Sequence, residues 1–97
     1  MLIKELRNGM SRVSVEAKVD SISPVREVIS RYSGRKVRVA TAVISDESGT
    51  VNLTLWEDQI DKVSVGDAIK IENGYVNTFR GDLQLNVGRY GTLSVVE

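Results

Sequence analysis

Acid–base and nucleophilic chemistry in this sequence would depend on carboxylates, lysines and hydroxyls, because its 97 residues include no histidine and no cysteine. The same absences remove the usual ligands of a transition-metal site and the nucleophile of a thiol enzyme. The turn SDESG (45–49) resembles a calcium loop in composition, but it lacks the ligand spacing of an EF-hand and suits a hairpin equally well. We therefore expect no enzymatic activity, no cofactor and no metal.

The single tryptophan of the sequence, Trp56, occupies a position where a polar residue would be expected. In VNLTLWE (51–57), the apolar residues Val51, Leu53 and Leu55 share one parity, which puts Trp56 on the polar face of a strand. A tryptophan outside the core of so short a chain either caps the end of a barrel or is available to a ligand.

Charge is balanced overall, with 13 basic and 13 acidic residues, but it is unevenly distributed. Residues 26–38 carry five basic side chains and one acidic side chain, a net charge of +4. Residues 46–72 carry seven acidic and two basic side chains, a net charge of −5. A domain polarised in this way favours a polyanion on one side only.

Alternation of apolar and polar residues predicts five strands that position these side chains. A helical turn is expected between the third and fourth strands, where Ile60 and Val63 have helical spacing. Short strands with glycine at their bends favour a small closed barrel, formed by one domain over residues 1–97. The segment SISPVREVISRYSGRK (21–36) is predicted to be a long loop between the first two strands. The strands themselves are expected within 11–21, 36–45, 51–57, 68–76 and 82–96.

Residues 46–89, DESGTVNLTLWEDQIDKVSVGDAIKIENGYVNTFRGDLQLNVGR, resemble a known family. The order and spacing of the acidic-Gly turn, LTLW, NGY, FRG and LQLNVGR are similar to those of archaeal single-OB-fold proteins that bind single-stranded DNA. The run also resembles the eukaryotic sensor-of-ssDNA relatives and individual OB domains of archaeal replication protein A. The resemblance implies an all-β, five-stranded OB-fold barrel with a short helix between strands three and four.

The resemblance also implies that aromatic side chains stack on unpaired bases. The matching positions are Trp56 of LTLW, Tyr75 of NGY and Phe79 of TFRG. For Tyr75 this requires a bulge near Gly74, because parity counted from Ile69 and Ile71 otherwise places the ring inside the barrel. Phe79 lies in a predicted turn, where core burial remains an equal alternative.

Polar contacts are expected beside these aromatic residues. In an OB-fold the loop between the first two strands flanks the ligand groove, which makes its basic residues candidates for phosphate contacts. Gln84 and Asn86 alternate with Leu83 and Leu85, so they should face outward and could hydrogen-bond base edges. The candidates for phosphate contact are Arg31, Arg35, Lys36, Arg38, Arg80 and Arg89.

These observations predict a protein that binds single-stranded DNA with little sequence preference in replication, recombination or repair. Two alternatives remain open: an RNA-binding OB module, or a protein-interaction OB domain of a larger replication assembly. We expect a monomer in the cytoplasm, associated with the nucleoid, with replication or repair proteins as possible partners. No apolar run is long enough for a membrane span, so no membrane partner is expected.

Overall fold

The computed structural model describes residues 1–30 and 33–96, and for positions 79 and 88–90 it describes the backbone alone. The described chain is mostly strand, as the period of two predicts. Its elements are a 3₁₀ turn (Ile3–Glu5), β1 (Val13–Ile22), β2 (Arg26–Ile29), β3 (Lys36–Asp46), β4 (Gly49–Trp56), α1 (Asp58–Lys62), β5 (Ala68–Phe79) and β6 (Asp82–Val96).

The strands form one curved sheet that closes on itself. Its order is β1-β5-β6-β4-β3-β2, and an additional pairing between β1 and β3 closes the barrel. β3 reaches both neighbours because its first residues pair with β2 and its last residues pair with β1. The five-stranded barrel of β1, β3, β4, β5 and β6 is therefore confirmed, and so is the short helix after its third strand.

Inside the barrel, the side chains are those that the alternation predicts. Val13, Val15 and Val19 of β1 and Leu53 and Leu55 of β4 are all buried. The 3₁₀ turn adds Ile3 and Leu6 to this core. Each of the five barrel strands therefore has one face in the core, and its other face is left for surface functions.

The sixth strand, β2, corrects the sequence prediction, because it lies inside the segment 21–36 that was expected to be a loop. Four residues that follow a proline are too short a run for period-two alternation to be recognised. β2 is strand because it pairs with β3, from Arg26 opposite Val39 to Ile29 opposite Lys36. The β2–β3 hairpin is closed by the Ser30 N–H, which donates to the Arg35 carbonyl over 2.9 Å.

A bulge in β5 decides the side on which Tyr75 lies. The register with β6 shifts between Glu72 and Gly74, and Asn73 between them has a φ of 56°. A Cβ on Gly74 would lie 3.0 Å from the Asn86 carbonyl oxygen, so the close approach of the two strands requires glycine there. After the bulge Val76 points into the core and Tyr75 points out. The bulge near Gly74 that an outward Tyr75 requires is therefore present.

Candidate nucleic-acid interface

An open groove runs across the outer face of the barrel, with two aromatic rings in its wall. Two adjoining cavities of about 520 and 230 Å³ form it, and both are lined by Val28, Trp56 and Tyr75. Trp56 is 39% exposed and Tyr75 is 42% exposed. Two of the three predicted stacking residues therefore lie together on one surface.

Trp56 faces this groove because it is the last residue of β4 and has the parity of Thr54. It pairs with Val39 of β3, and its N–H donates to Gln59 Oε1 of α1 over 3.1 Å. The backbone at Trp56 is thus fixed from both sides, while the ring remains half exposed.

Phe79, the third predicted stacking residue, is described only by its backbone, which pairs with Asp82 where β5 turns into β6. Its side chain lies outside the described part of the structure. Position 79 has the parity of Tyr75 and Asn77 along β5.

Four polar side chains form the floor of the groove. Thr54 Oγ1 donates to Gln84 Oε1 over 3.4 Å, and Asn86 Nδ2 donates to Asn77 Oδ1 over 3.1 Å. Strand pairing places these side chains next to one another: Asn86 lies between Thr54 of β4 and Tyr75 of β5, and Gln84 lies opposite Asn77 of β5. Gln84 and Asn86 therefore face the groove as predicted, but Asn86 is only 4% exposed. Its neighbours on both adjacent strands cover it, which the alternation of β6 alone could not reveal.

The β2–β3 hairpin supplies a wall that sequence reasoning did not assign to the site. Val28, Ile29 and Val37 line the larger cavity, and Arg26 lines the smaller one. Ile29 is 69% exposed, an unusual environment for an isoleucine. A signal was present in the sequence, because REVI and KVRV are short β-branched stretches on either side of a Ser-Gly pair, as in a hairpin.

The predicted phosphate contacts are dispersed. Arg35 and Lys36 are exposed near the tip of the hairpin, and Arg80 is exposed at the β5–β6 turn. Arg31 lies outside the described residues, and so does the side chain of Arg89. Arg26, which was not among the candidates, lines the smaller cavity together with both aromatic rings.

Arg38 is engaged by acidic residues. It pairs with Glu27 of β2. Along β3 it alternates with Val37 and Val39, which line the groove, so it has the opposite side-chain parity. Its Nη2 lies 3.1 Å from Asp61 Oδ2, and its Nε lies 3.7 Å from Glu57 Oε2. The hydrogen bond and the charge of Asp61 raise the pKa of the Arg38 guanidinium. A phosphate would have to compete with these carboxylates for it.

Within residues 1–30 and 33–96, no group of three or more acidic side chains is arranged to hold a metal ion. None of the helices in the described chain has the length and apolarity needed to span a membrane.

A closed five-stranded barrel with a helix after its third strand and a groove lined by exposed aromatic residues defines an OB-fold of the nucleic-acid-binding class. Residues 6–95 match the family model described as single-stranded DNA binding protein Ssb-like, OB fold. The chain belongs to this Ssb-like OB-fold family.

Two curated relatives are similar over most of the chain. The single-stranded DNA binding protein Ssb of Saccharolobus solfataricus is 33% identical over 86 residues, which are 89% of this chain and 57% of the relative. Replication factor A of Methanothermobacter thermautotrophicus is 30% identical over 88 residues, which are 90% of this chain and 11% of the relative. The chain thus spans little more than half of the first relative and one ninth of the second.

Solved structures agree with the fold. The OB domain of a Thermoplasma acidophilum protein superimposes with a TM-score of 0.86 at 25% identity, covering 100% of this chain and 86% of that domain. The second OB-fold domain of replication protein A from Methanococcus maripaludis gives a TM-score of 0.80 at 28% identity, covering 100% and 94% of the two chains.

Proposed function

We propose that this protein binds single-stranded DNA with little sequence preference, by stacking unpaired bases on Trp56, Tyr75 and Phe79. The observation that carries the proposal is the pair of half-exposed rings of Trp56 and Tyr75 in one open groove. Membership of the Ssb-like family and the names of the two curated relatives support it.

Stacking explains why the rings are outside. A base that covers an exposed ring recovers the apolar burial that the core does not provide, and each stacked base is typically worth about 1–3 kcal/mol by alanine substitution. Every base has a π-face, so this mode tolerates any sequence. The amide of Gln84 in the floor would add hydrogen bonds to base edges, and Asn86, which is only 4% exposed, is the weaker candidate for such a contact.

Phosphates would be contacted by basic side chains at the rims of the groove. Arg26 is the first of these, because it lines the smaller cavity together with both rings. Arg38 is the weakest candidate, since it would have to leave Asp61. The remaining candidates are Arg31, Arg35, Lys36, Arg80 and Arg89.

The proposed cellular role is in DNA replication, with recombination and repair as further processes that need single strands protected. The name of the relative Replication factor A supports replication. We propose a non-enzymatic monomer associated with the nucleoid, and replication or repair proteins as its partners.

The experiment is a titration of the protein into fluorescently labelled 15-mers of oligo-dT, oligo-rU and duplex DNA, read as label anisotropy. We expect tight binding to oligo-dT and much weaker binding to the duplex, whose bases are not available for stacking. Tighter binding to oligo-rU than to oligo-dT would favour the RNA module. Failure to bind any of the three would favour a protein-interaction domain, for which the 69% exposure of Ile29 is the supporting observation.

A further inference from the structure

Glu57 joins the groove tryptophan to the β2–β3 hairpin. It follows Trp56 directly, and its N–H donates to the Arg38 carbonyl over 3.0 Å. In return, the Arg38 N–H donates to Glu57 Oε1 over 2.9 Å, and Arg38 Nε lies 3.7 Å from Glu57 Oε2. One residue beside the ring thus makes three contacts with one residue of β3.

The backbone of Glu57 has a conformation that favours glycine. Its φ is 49° and its ψ is −120°, a combination that residues with a Cβ adopt only when their surroundings hold them there. Glycine would make the same turn without strain. The glutamate side chain therefore has to contribute something that glycine cannot, and its contacts with Arg38 are that contribution.

The same contacts reach the helix and the cavity. Asp61 of α1 holds the other end of the Arg38 guanidinium, with Nη2 and Oδ2 3.1 Å apart. Glu57 also lines the larger cavity, together with Val28 and Val37 of the hairpin and both rings. A displacement at Glu57 would therefore move the ring of Trp56 relative to the wall that faces it.

We propose that Glu57 is a positioning residue, which holds Trp56 and the β2–β3 hairpin at the separation that receives a base. The proposal rests on the proposed function for what enters the cavity, but not for the positioning itself. Holding the ring in the free protein lowers the ordering cost of binding, because the ring does not have to be immobilised when the base arrives.

The test measures the motion of the indole in the free protein by time-resolved anisotropy, since Trp56 is the single tryptophan. Glu57→Gly removes both side-chain contacts and the strain, whereas Glu57→Gln keeps the Oε1 acceptor. We expect Glu57→Gly to enlarge the fast depolarisation of Trp56 and to weaken oligo-dT binding about 2- to 10-fold, the equivalent of ordering one side chain. Glu57→Gln should keep both the indole motion and the oligo-dT affinity close to the wild-type values, because exposed ion pairs contribute little.

A purely structural role would lower the melting temperature and leave affinity unchanged in the folded fraction. Unchanged indole motion in Glu57→Gly, unchanged affinity, or a Glu57→Gln variant as defective as Glu57→Gly would each overturn the proposal. If wild-type protein does not bind oligo-dT, the proposed function fails, but the anisotropy of the free protein still decides the positioning.

Arg38→Gln is the second variant, and it removes the ion pair without changing position 57. Both hydrogen bonds between Glu57 and the Arg38 backbone remain, so it should change the indole motion as little as Glu57→Gln does and leave the salt dependence of DNA binding unchanged. A flatter salt dependence, or an indole as mobile as in Glu57→Gly, would overturn the proposal, because Arg38 would then act on phosphate or the ring would depend on the ion pair and not on the Glu57 Oε1 hydrogen bond.

Discussion

The two ends of β4 differ in how the chain treats its own polar and apolar groups. In the β3–β4 turn that leads into the strand, one carboxylate oxygen of Asp46 accepts the N–H of Ile3 over 2.8 Å and the other accepts the N–H of Ser48 over 2.7 Å. The N–H of Gly49 and the hydroxyl of Ser48 also donate to Asp46. At the end of the strand, the backbone N–H of Trp56 donates to Gln59 Oε1, and its ring is 39% exposed.

The difference shows where a ligand is needed. The Asp46 carboxylate accepts its hydrogen bonds from groups of the same chain, so it does not require a ligand. The aromatic end leaves an apolar ring surface exposed to water, which is unfavourable, and a stacked base can bury that surface. Stability and binding are thus divided between the turn before β4 and the last residue of that strand.

The largest expected effect separates the two faces of β4 at adjacent residues. Leu55 is fully buried, so Leu55→Ala should lower the free energy of unfolding by about 2–5 kcal/mol. Urea denaturation measures it. The variant should bind oligo-dT normally wherever it remains folded. A stability loss as large in Trp56→Ala would remove the distinction between the faces.

The next effect concerns affinity. Trp56→Ala, Tyr75→Ala and Phe79→Ala should each weaken single-stranded DNA binding by about 1–3 kcal/mol, with little change in melting temperature. Label anisotropy gives the affinities and circular dichroism gives the melting curves. If Tyr75→Ala instead lowers the melting temperature and keeps its affinity, Tyr75 belongs to the core and the stacking surface is smaller than proposed.

A third, smaller effect is on salt dependence. Contacts with about 2–4 phosphates, at about 0.7 counterions released per contact, give a slope of log K against log[salt] of roughly −1.5 to −3. Replacing Arg31, Arg35 and Lys36 together by Ala should flatten this slope, and Arg26→Ala should flatten it by about 0.7 if it contacts one phosphate. Trp56→Ala is the control, because it should lower affinity at every salt concentration without changing the slope. A triple variant with the wild-type slope would exclude the hairpin tip from the DNA path.

The smallest effect is confined to Asp46, in the turn that leads into β4. Burial by itself would raise the pKa of Asp46, but hydrogen bonds from Ser48, Ile3 and Gly49 together lower it below its ordinary value. A lowered pKa in the folded state gives stability that is present above the unfolded pKa of about 3.9 and is lost as pH falls through the folded value. Asp46→Asn should therefore be less stable than wild type at pH 7 and should lose less stability below about pH 4. Melting temperatures at pH 3 and pH 7 measure this, and equal differences at the two pH values would contradict it.

Much of the barrel could be predicted from the sequence, because period-two alternation is a local signal. The outward position of Trp56 follows from Val51, Leu53 and Leu55 alone. The orientation of Tyr75 does not, since one bulge reverses the parity of every residue after it. From the sequence it follows that an outward Tyr75 requires a bulge near Gly74. That the bulge forms is seen only in the pairing of β5 with β6, where Gly74 packs closely against Asn86.

The parts of the site that could not be predicted depend on pairing between distant segments. β2 is strand because Val37 and Val39 lie beside it, and its contribution to the groove is visible only once that hairpin forms. Asn86 is buried because β4 and β5 flank it. Likewise, the count of basic residues in 26–38 could not reveal that Arg38 is paired with Asp61.

A base that stacks on Trp56 should change the emission of the single indole of the protein, so tryptophan fluorescence measures stacking without a label. Oligo-dT is titrated into the wild-type protein and into Leu83→Ala, a control outside both groove cavities, while tryptophan emission is recorded. Strong quenching is predicted that saturates at the same oligonucleotide concentration as the label anisotropy, with the same quenching in the control. Saturable binding with no change in the emission of Trp56 would show that no base stacks on this ring.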